Sequence, residues 1–224
     1  AVVKADGYGH GAVPAARAAL AGGADVLAVA LVAEGVELRE AGIDTVVMVL
    51  SQASADEIDT LVAADLVATV YTASGVRGLA DAARRAGRTA ERPVRAHLKV
   101  DTGMHRVGVQ PDDAVELARS IADEPALDLR SVFTHCAVAD EPGNPFTGEQ
   151  LARFDAVLAD LAAAGIEPRD FSALGIELHI DLRQHHRLLF AEQRLLQFRL
   201  ALRFAMRPSD KYVNGTVSCT PPMK

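Results

Sequence analysis

The sequence predicts an α/β fold of TIM type: a (β/α)8 barrel, incomplete at about six βα units, followed by a tail of different character. Three observations predict it. Short apolar runs recur along residues 1 to 168 with helix-like stretches between them. Those runs are nearly continuous rather than alternating, which suits parallel strands buried on both faces. The composition then breaks at Pro168: 37 alanines lie before it and four after it, so the repeating pattern does not extend into the tail.

The elements follow in order. The chain opens at Ala1 inside an apolar run, without an initiator methionine, and reads as a fragment. Pro14 sits near a helix start and Gly22-Gly23 closes that helix. Val26 to Val32 is a continuous apolar run; Thr45 to Leu50 and Leu66 to Tyr71 are close to it. Val94 to Val100 and Leu129 to Thr134 are more mixed strands. Ser54 with Glu57, and Thr147 with Gln150, have the spacing of capping boxes. Ser74 to Ala86 places Val76, Leu79, Ala80 and Ala83 on one helical face and ends at Gly87. Repeated strand–helix units of this length imply right-handed crossovers. Six in one direction favour the barrel, with a doubly wound sheet as the alternative on pattern alone.

Two domains follow: residues 1–168, a partial barrel, and 169–224, a divergent tail. The tail is net +4 against −11 for the rest. Arg183 to Arg207 reads as a basic amphipathic helix carrying Leu188, Leu189, Leu195, Leu196 and Leu200. The abrupt change fits a frameshifted or foreign end that orders poorly.

The whole-chain charge of −7 argues against nucleic acid and anionic membranes as partners. No apolar run is long enough to span a bilayer. Cys136 and Cys219 are the only cysteines, which gives no disulfide framework and suits a reducing, cytoplasmic setting. Cys136 reads as a small buried apolar residue rather than a nucleophile. His179, His185 and His186 make no convergent ligand set, so no metal is expected.

The chemistry-bearing residues lie at strand ends, where barrel enzymes keep their reactive groups. Residues 1–11 read AVVKADGYGHG. A lysine closing a strand before a glycine-rich turn suits a Schiff base to a bulky aldehyde cofactor. Residues 96–108 read AHLKVDTGMHRVG, and 133–141 read FTHCAVADE. All three segments resemble the alanine racemase family. The resemblance implies pyridoxal 5'-phosphate on Lys4, with Tyr8 at its phosphate and Arg106 at its phenolic oxygen. It implies His135 beside the pyridine ring, and Lys99 as a supporting residue, carbamylated or not, that orients Arg106. His10 belongs to the turn rather than to proton transfer. Without the resemblance, Lys99, Asp101 and Arg106 read more readily as a buried ion cluster at a strand end, with no cofactor.

The resemblance covers residues 1 to about 168. It implies an isomerase interconverting L- and D-alanine for peptidoglycan, working in the cytoplasm as a homodimer, with small-molecule alanine as substrate. After Pro168 the family's Asn-Ser pair is missing, and Gly175-Ile176 has Ala173 where an arginine is expected. The second catalytic base, a tyrosine of the family's C-terminal domain, is also missing. This chain alone is therefore expected not to racemise alanine at an appreciable rate. The alternatives are a non-catalytic pyridoxal-phosphate carrier, and a related decarboxylase or aldolase barrel.

Overall fold

The computed structural model describes residues 1–141 and 143–168 in full and, beyond them, the backbone of strands at 170–174, 179–181, 211–213 and 216–218. The sequence-predicted helix at 183–207, together with His185, His186 and Cys219, lies outside the described residues.

An opening extended segment, residues 1–3, leads into a tight turn over residues 4–11. Helix α1 (Ala12–Ala21) follows, then β1 (Val26–Val29), α2 (Val32–Glu40), β2 (Val46–Val49), α3 (Ile58–Ala63) and β3 (Ala68–Val70). The chain continues through α4 (Ala73–Arg85), β4 (Val94–Lys99), α5 (Ala114–Ala122), β5 (Leu127–His135), α6 (Phe146–Ala163), β6 (Asp170–Leu174) and β7 (His179–Asp181). Two short strands, β8 (Lys211–Val213) and β9 (Thr216–Ser218), form an antiparallel pair.

Strands β1 and β2 pair in parallel, as do β3 through β6 in succession. Parallel bridges Val2 to Ala28 and Met48 to Val67 join the opening segment to β1 and β2 to β3. The result is a seven-membered parallel arc, the incomplete barrel the sequence predicts. The strand at Asp170–Leu174 lies beyond the break read at Pro168 and continues the parallel order, while β7 turns back antiparallel on it. Its residues, Asp-Phe-Ser-Ala-Leu, make no continuous apolar run and lie where the composition no longer matches the preceding units.

Both faces of the arc are covered, which is why its strands read as apolar runs. Leu27, Val29, Val47, Val49, Ala68, Val70, Ala96, Leu98 and Val132 join the large core beneath the helices. Ala28, Met48, Val67 and Phe133 form a separate inner cluster. An irregularity at Ala96/His97 joins these faces to the site. Ala96 pairs Leu129, but His97 pairs Ser131 and Lys99 pairs Phe133. One extra residue in β5 shifts the two-residue alternation, as a β-bulge does. That shift brings Phe133, and His135 two residues on, to the face that carries His97 and Lys99.

Element ends follow local chemistry. Thr72 caps α4 by accepting from the Gly75 amide at 2.9 Å. Ser54 and Glu57 meet through Ser54 Oγ donating to the Glu57 carboxylate at 2.5 Å, with α3 beginning after Glu57. The capping box expected at Thr147 and Gln150 does not form. Helix α6 already starts at Phe146, whose amide donates to Asn144 Oδ1 at 3.0 Å. Pro145 is the N-cap, Asn144 just before it takes the first helical amide, and Gln150 is drawn inward to other partners. The apolar run from Val26 is cut at Val29, because the Ala30 and Leu31 amides leave the sheet for the Glu34 carboxylate.

Candidate functional site

Lys4 leaves the opening strand at the end where β1, β4 and β5 also finish. The residues after it take a rare path: Ala5, Asp6, Gly7 and Tyr8 all have φ between 52° and 60°, a left-handed turn. Such a turn costs about 1–2 kcal/mol for each non-glycine residue. The Gly7 amide donates back to Val3 O at 3.0 Å, and the Gly11 amide to Asp6 O at 2.9 Å. A side chain at Gly7 is excluded, since its Cβ would lie 2.9 Å from Ala15 Cβ. Asp6 Oδ1 accepts the Ala12 amide at 2.7 Å and so begins α1. The ammonium of Lys4 sits 5.8 Å from the centre of the Tyr8 ring, and Tyr8 is 57% exposed. Partial burial holds the Tyr8 phenol above its usual pKa. His10 is exposed and contributes its backbone to the turn.

Lys99 ends β4, is 4% exposed, and lies 5.5 Å from the centre of the Phe133 ring. Burial pushes its pKa down to about 8; Arg106 and Lys4 push the same way and Asp101 opposes them. The loop after Lys99 closes on itself. The Asp101 amide donates to Val109 O and the Val109 amide to Lys99 O, both at 2.9 Å. Gly108 permits this approach, since a Cβ there would lie 2.5 Å from the Asp101 amide nitrogen. Asp101 Oδ1 accepts the Gly103 and His105 amides at 2.9 and 3.0 Å. Arg106, carried by that loop, is exposed.

His135 ends β5. Burial, then the charges of Lys99, Arg106 and Lys4, pull its pKa down to about 4, so its ring is neutral at pH 7. Lys4 follows the opening segment, Lys99 and His135 close β4 and β5, and Arg106 is carried by the loop after β4, so these parallel strands bring all four to one rim, with Tyr8 beside Lys4. Cys136 is buried, and burial raises its thiol pKa. His179 belongs to β7. Among the described residues no group of three or more His, Cys, Asp or Glu side chains is placed to hold a metal, and no helix is long and apolar enough to cross a membrane.

Two residues that sequence reasoning missed hold this rim. Gln150 is fully buried: it accepts the Ala137 amide at 2.7 Å and donates to His135 O at 3.1 Å and Thr102 Oγ1 at 3.3 Å. It thus joins the loops after β4 and β5. Glu34 accepts the Ala5, Ala30 and Leu31 amides. Gln150 acts on distant backbone, and although Glu34 accepts the amide of Leu31, the N-cap of its own helix, nothing local marks its bond to Ala5, 29 residues away.

Comparison with known proteins gives this rim a family. The profile described as alanine racemase, N-terminal domain, matches residues 1–175. The chain belongs to that family. It is 46% identical to an alanine racemase of Symbiobacterium thermophilum over 182 residues, covering 80% of this chain and 47% of that protein. With an alanine racemase of Thermobifida fusca it is 43% identical over 171 residues, 75% of this chain and 45% of the other. The chain therefore spans about half the length of the curated relatives it matches. Among solved structures, alanine racemase of Clostridium difficile 630 in complex with cycloserine superposes with a TM-score of 0.73 at 31% identity, over 77% of this chain and 46% of that one. Alanine racemase from D-cycloserine-producing Streptomyces lavendulae gives 0.70 at 37% identity, over 77% and 45%. The family match runs seven residues past Pro168 and takes in all of β6.

Proposed function

We propose that this chain carries the cofactor half of an alanine racemase, an isomerase interconverting L- and D-alanine with pyridoxal 5'-phosphate. The observation that carries the reading is the cationic rim. Arg106 and Lys4 are close enough to disfavour the charge of the buried Lys99, and Asp101 is the carboxylate that opposes them there. Among the described residues none of the three cations is in an ion pair. An anionic ligand relieves that arrangement, and a phosphorylated aldehyde with a phenolic oxygen supplies both the anion and the group a lysine attacks. The residues present fit it.

When bound, the cofactor supplies an electron sink for negative charge developing at the alanine Cα. Lys4 would hold it, and the amine would take and return the Cα proton on one face. Arg106 would offer a planar set of N–H donors to the phenolic oxygen and favour its ionised form. Lys99 lies beneath that loop, and Asp101 fixes the loop's backbone through two amides. His135, being neutral, would lie beside the cofactor ring without adding charge. Tyr8, exposed beside Lys4, would hold the phosphate. The opposite face of Cα is assigned to no residue of this chain. Assembly as a homodimer, a cytoplasmic setting and supply of D-alanine to peptidoglycan belong to the same reading and rest on the family alone.

The test is borohydride reduction of the chain with pyridoxal phosphate, peptide mapping, and chiral detection of D-alanine from L-alanine. Label on Lys4 that is lost in Lys4→Ala supports the reading; label that is unchanged in that variant overturns it. D-alanine formation separates a racemase from a cofactor carrier, which takes the same label without turnover.

A further inference from the structure

We infer that Glu34 is a positioning residue for Lys4, acting through the peptide plane that joins Lys4 to Ala5. The inference rests on the reading of Lys4 as the cofactor lysine. The left-handed turn at Ala5 to Tyr8 is unfavourable by itself and persists only where its surroundings over-determine it. Most of its bonds are internal or reach α1, the next element. Glu34 is different: it belongs to α2, one βα unit further along the chain. Its Oε1 accepts the Ala5 amide at 2.6 Å. Its Oε2 accepts the Ala30 amide at 2.7 Å and the Leu31 amide at 3.0 Å, in the loop after β1. The carboxylate is thus anchored on one side by its own loop and grips the turn with the other. It stands in the first turn of α2, where the helix dipole favours a negative group.

The Ala5 N–H lies in the same peptide plane as the Lys4 carbonyl. Orienting that plane sets ψ of Lys4 and the direction from which its side chain starts toward the rim. A group that reacts at a fixed point needs such support.

Three N–H donors converge on two oxygens, so the site needs a carboxylate rather than a side chain of that size. In Glu34→Gln one end of the amide becomes an NH2 group and faces either Ala5 or the Ala30–Leu31 pair donor to donor. Volume is conserved and the acceptor pair is lost. A packing role tolerates this change; the positioning role does not.

The experiment uses the 224-residue chain and pyridoxal phosphate at limiting concentration. Three readings are taken on wild type, Glu34→Gln and Arg39→Ala: hydrogen exchange of the Ala5 amide without cofactor, the visible absorption band of the lysine adduct, and the rate of borohydride-trapped label on Lys4. Arg39 sits near the far end of the same helix, so its variant weakens α2 away from the turn. Glu34→Gln is expected to speed Ala5 exchange by about ten- to hundredfold, the loss of one charge-assisted bond. It is also expected to slow labelling of Lys4 at least about tenfold and shift the band. Arg39→Ala is expected to leave labelling per folded molecule within about twofold. Unchanged Ala5 exchange in Glu34→Gln overturns the inference. So does faster exchange with wild-type labelling and an unshifted band. If wild type takes no label on Lys4, the cofactor reading fails by itself, and the inference that Glu34 positions a cofactor lysine falls with it.

Discussion

The two ends of the parallel arc hold the same kinds of residue and treat them in opposite ways. Where the strands begin, every cation named here is satisfied. Arg39 donates to the carbonyls of Ala64, Ile43, Thr45 and Asp65 at 2.7–3.2 Å. Asp65 then receives Arg88 at 3.0 Å and Arg95 at 3.1 Å. Where the strands end, Lys4 and Arg106 both press on the charge of Lys99, and Asp101 spends an oxygen on backbone amides instead. One end is wired for stability. The other stores unfavourable charge and a left-handed turn, the pattern expected of a site whose missing term is a ligand.

The contrast is broken most severely at Lys4. Lys4→Ala is expected to abolish the borohydride-trapped adduct while leaving the melting temperature nearly unchanged, because the side chain is only partly buried and forms no ion pair among the described residues. Calorimetry of the variant measures the second half; a large loss of stability there means that the rim is structural after all. Arg39→Ala probes the opposite end. Four carbonyls lose a charged donor, which is expected to cost about 2–4 kcal/mol of stability in urea unfolding with no change of label site. A cost below about 0.5 kcal/mol removes the distinction between the two ends.

Lys99 sharpens the comparison through pH. Its folded pKa, about 8, lies below the ordinary 10.5. The unfolded chain therefore holds the proton to higher pH, and stability rises with pH between about 8 and 10.5. Below pH 8 the cost of the buried charge is present in full. Lys99→Met is expected to gain about 2 kcal/mol at pH 7 in the chain without cofactor and to flatten that rise. Wild-type stability that falls or stays level over the same window contradicts it.

What the sequence makes legible follows from range. The barrel class, the strands and the rim residues Lys4, Tyr8, Lys99, Arg106 and His135 rest on local runs and short motifs, each complete within about a dozen residues. The strand ends were read to within about four residues; Val26 to Val32 was too long because the turn at Ala30–Leu31 depends on a carboxylate three residues further on. Gln150 misled for the same reason: its spacing from Thr147 suggests a cap, while its partners are Ala137, His135 and Thr102. The phase shift in β5 is also invisible locally. Arg130 and Ser131 look like ordinary strand residues until Ala96 and His97 lie beside them.

The smallest expected effect is at His135, and it tests whether the rim repels charge as a whole. The groups acting on its ring are Lys99, Arg106 and Lys4, all cationic, and burial adds to them. Its folded pKa, about 4, lies below the ordinary 6.5. Between those values the unfolded chain binds a proton that the folded chain refuses, so stability is lost as pH falls from about 6.5 to 4 and is unaffected by this group above that window. The ring is only half-buried, which trims its share of the loss to about 1–2 kcal/mol. His135→Gln removes the titration and is expected to flatten the acid limb by that amount. In Lys99→Met, which keeps His135, the histidine should titrate closer to its ordinary value, since one of its three cations is gone. Urea unfolding at pH 4.5 and 7 of the wild type, both single variants and the pair completes the cycle. If His135 shows the same acid loss with and without Lys99, the charge of Lys99 has no part in keeping the ring neutral, and the coupling across the rim fails at its first-named cation.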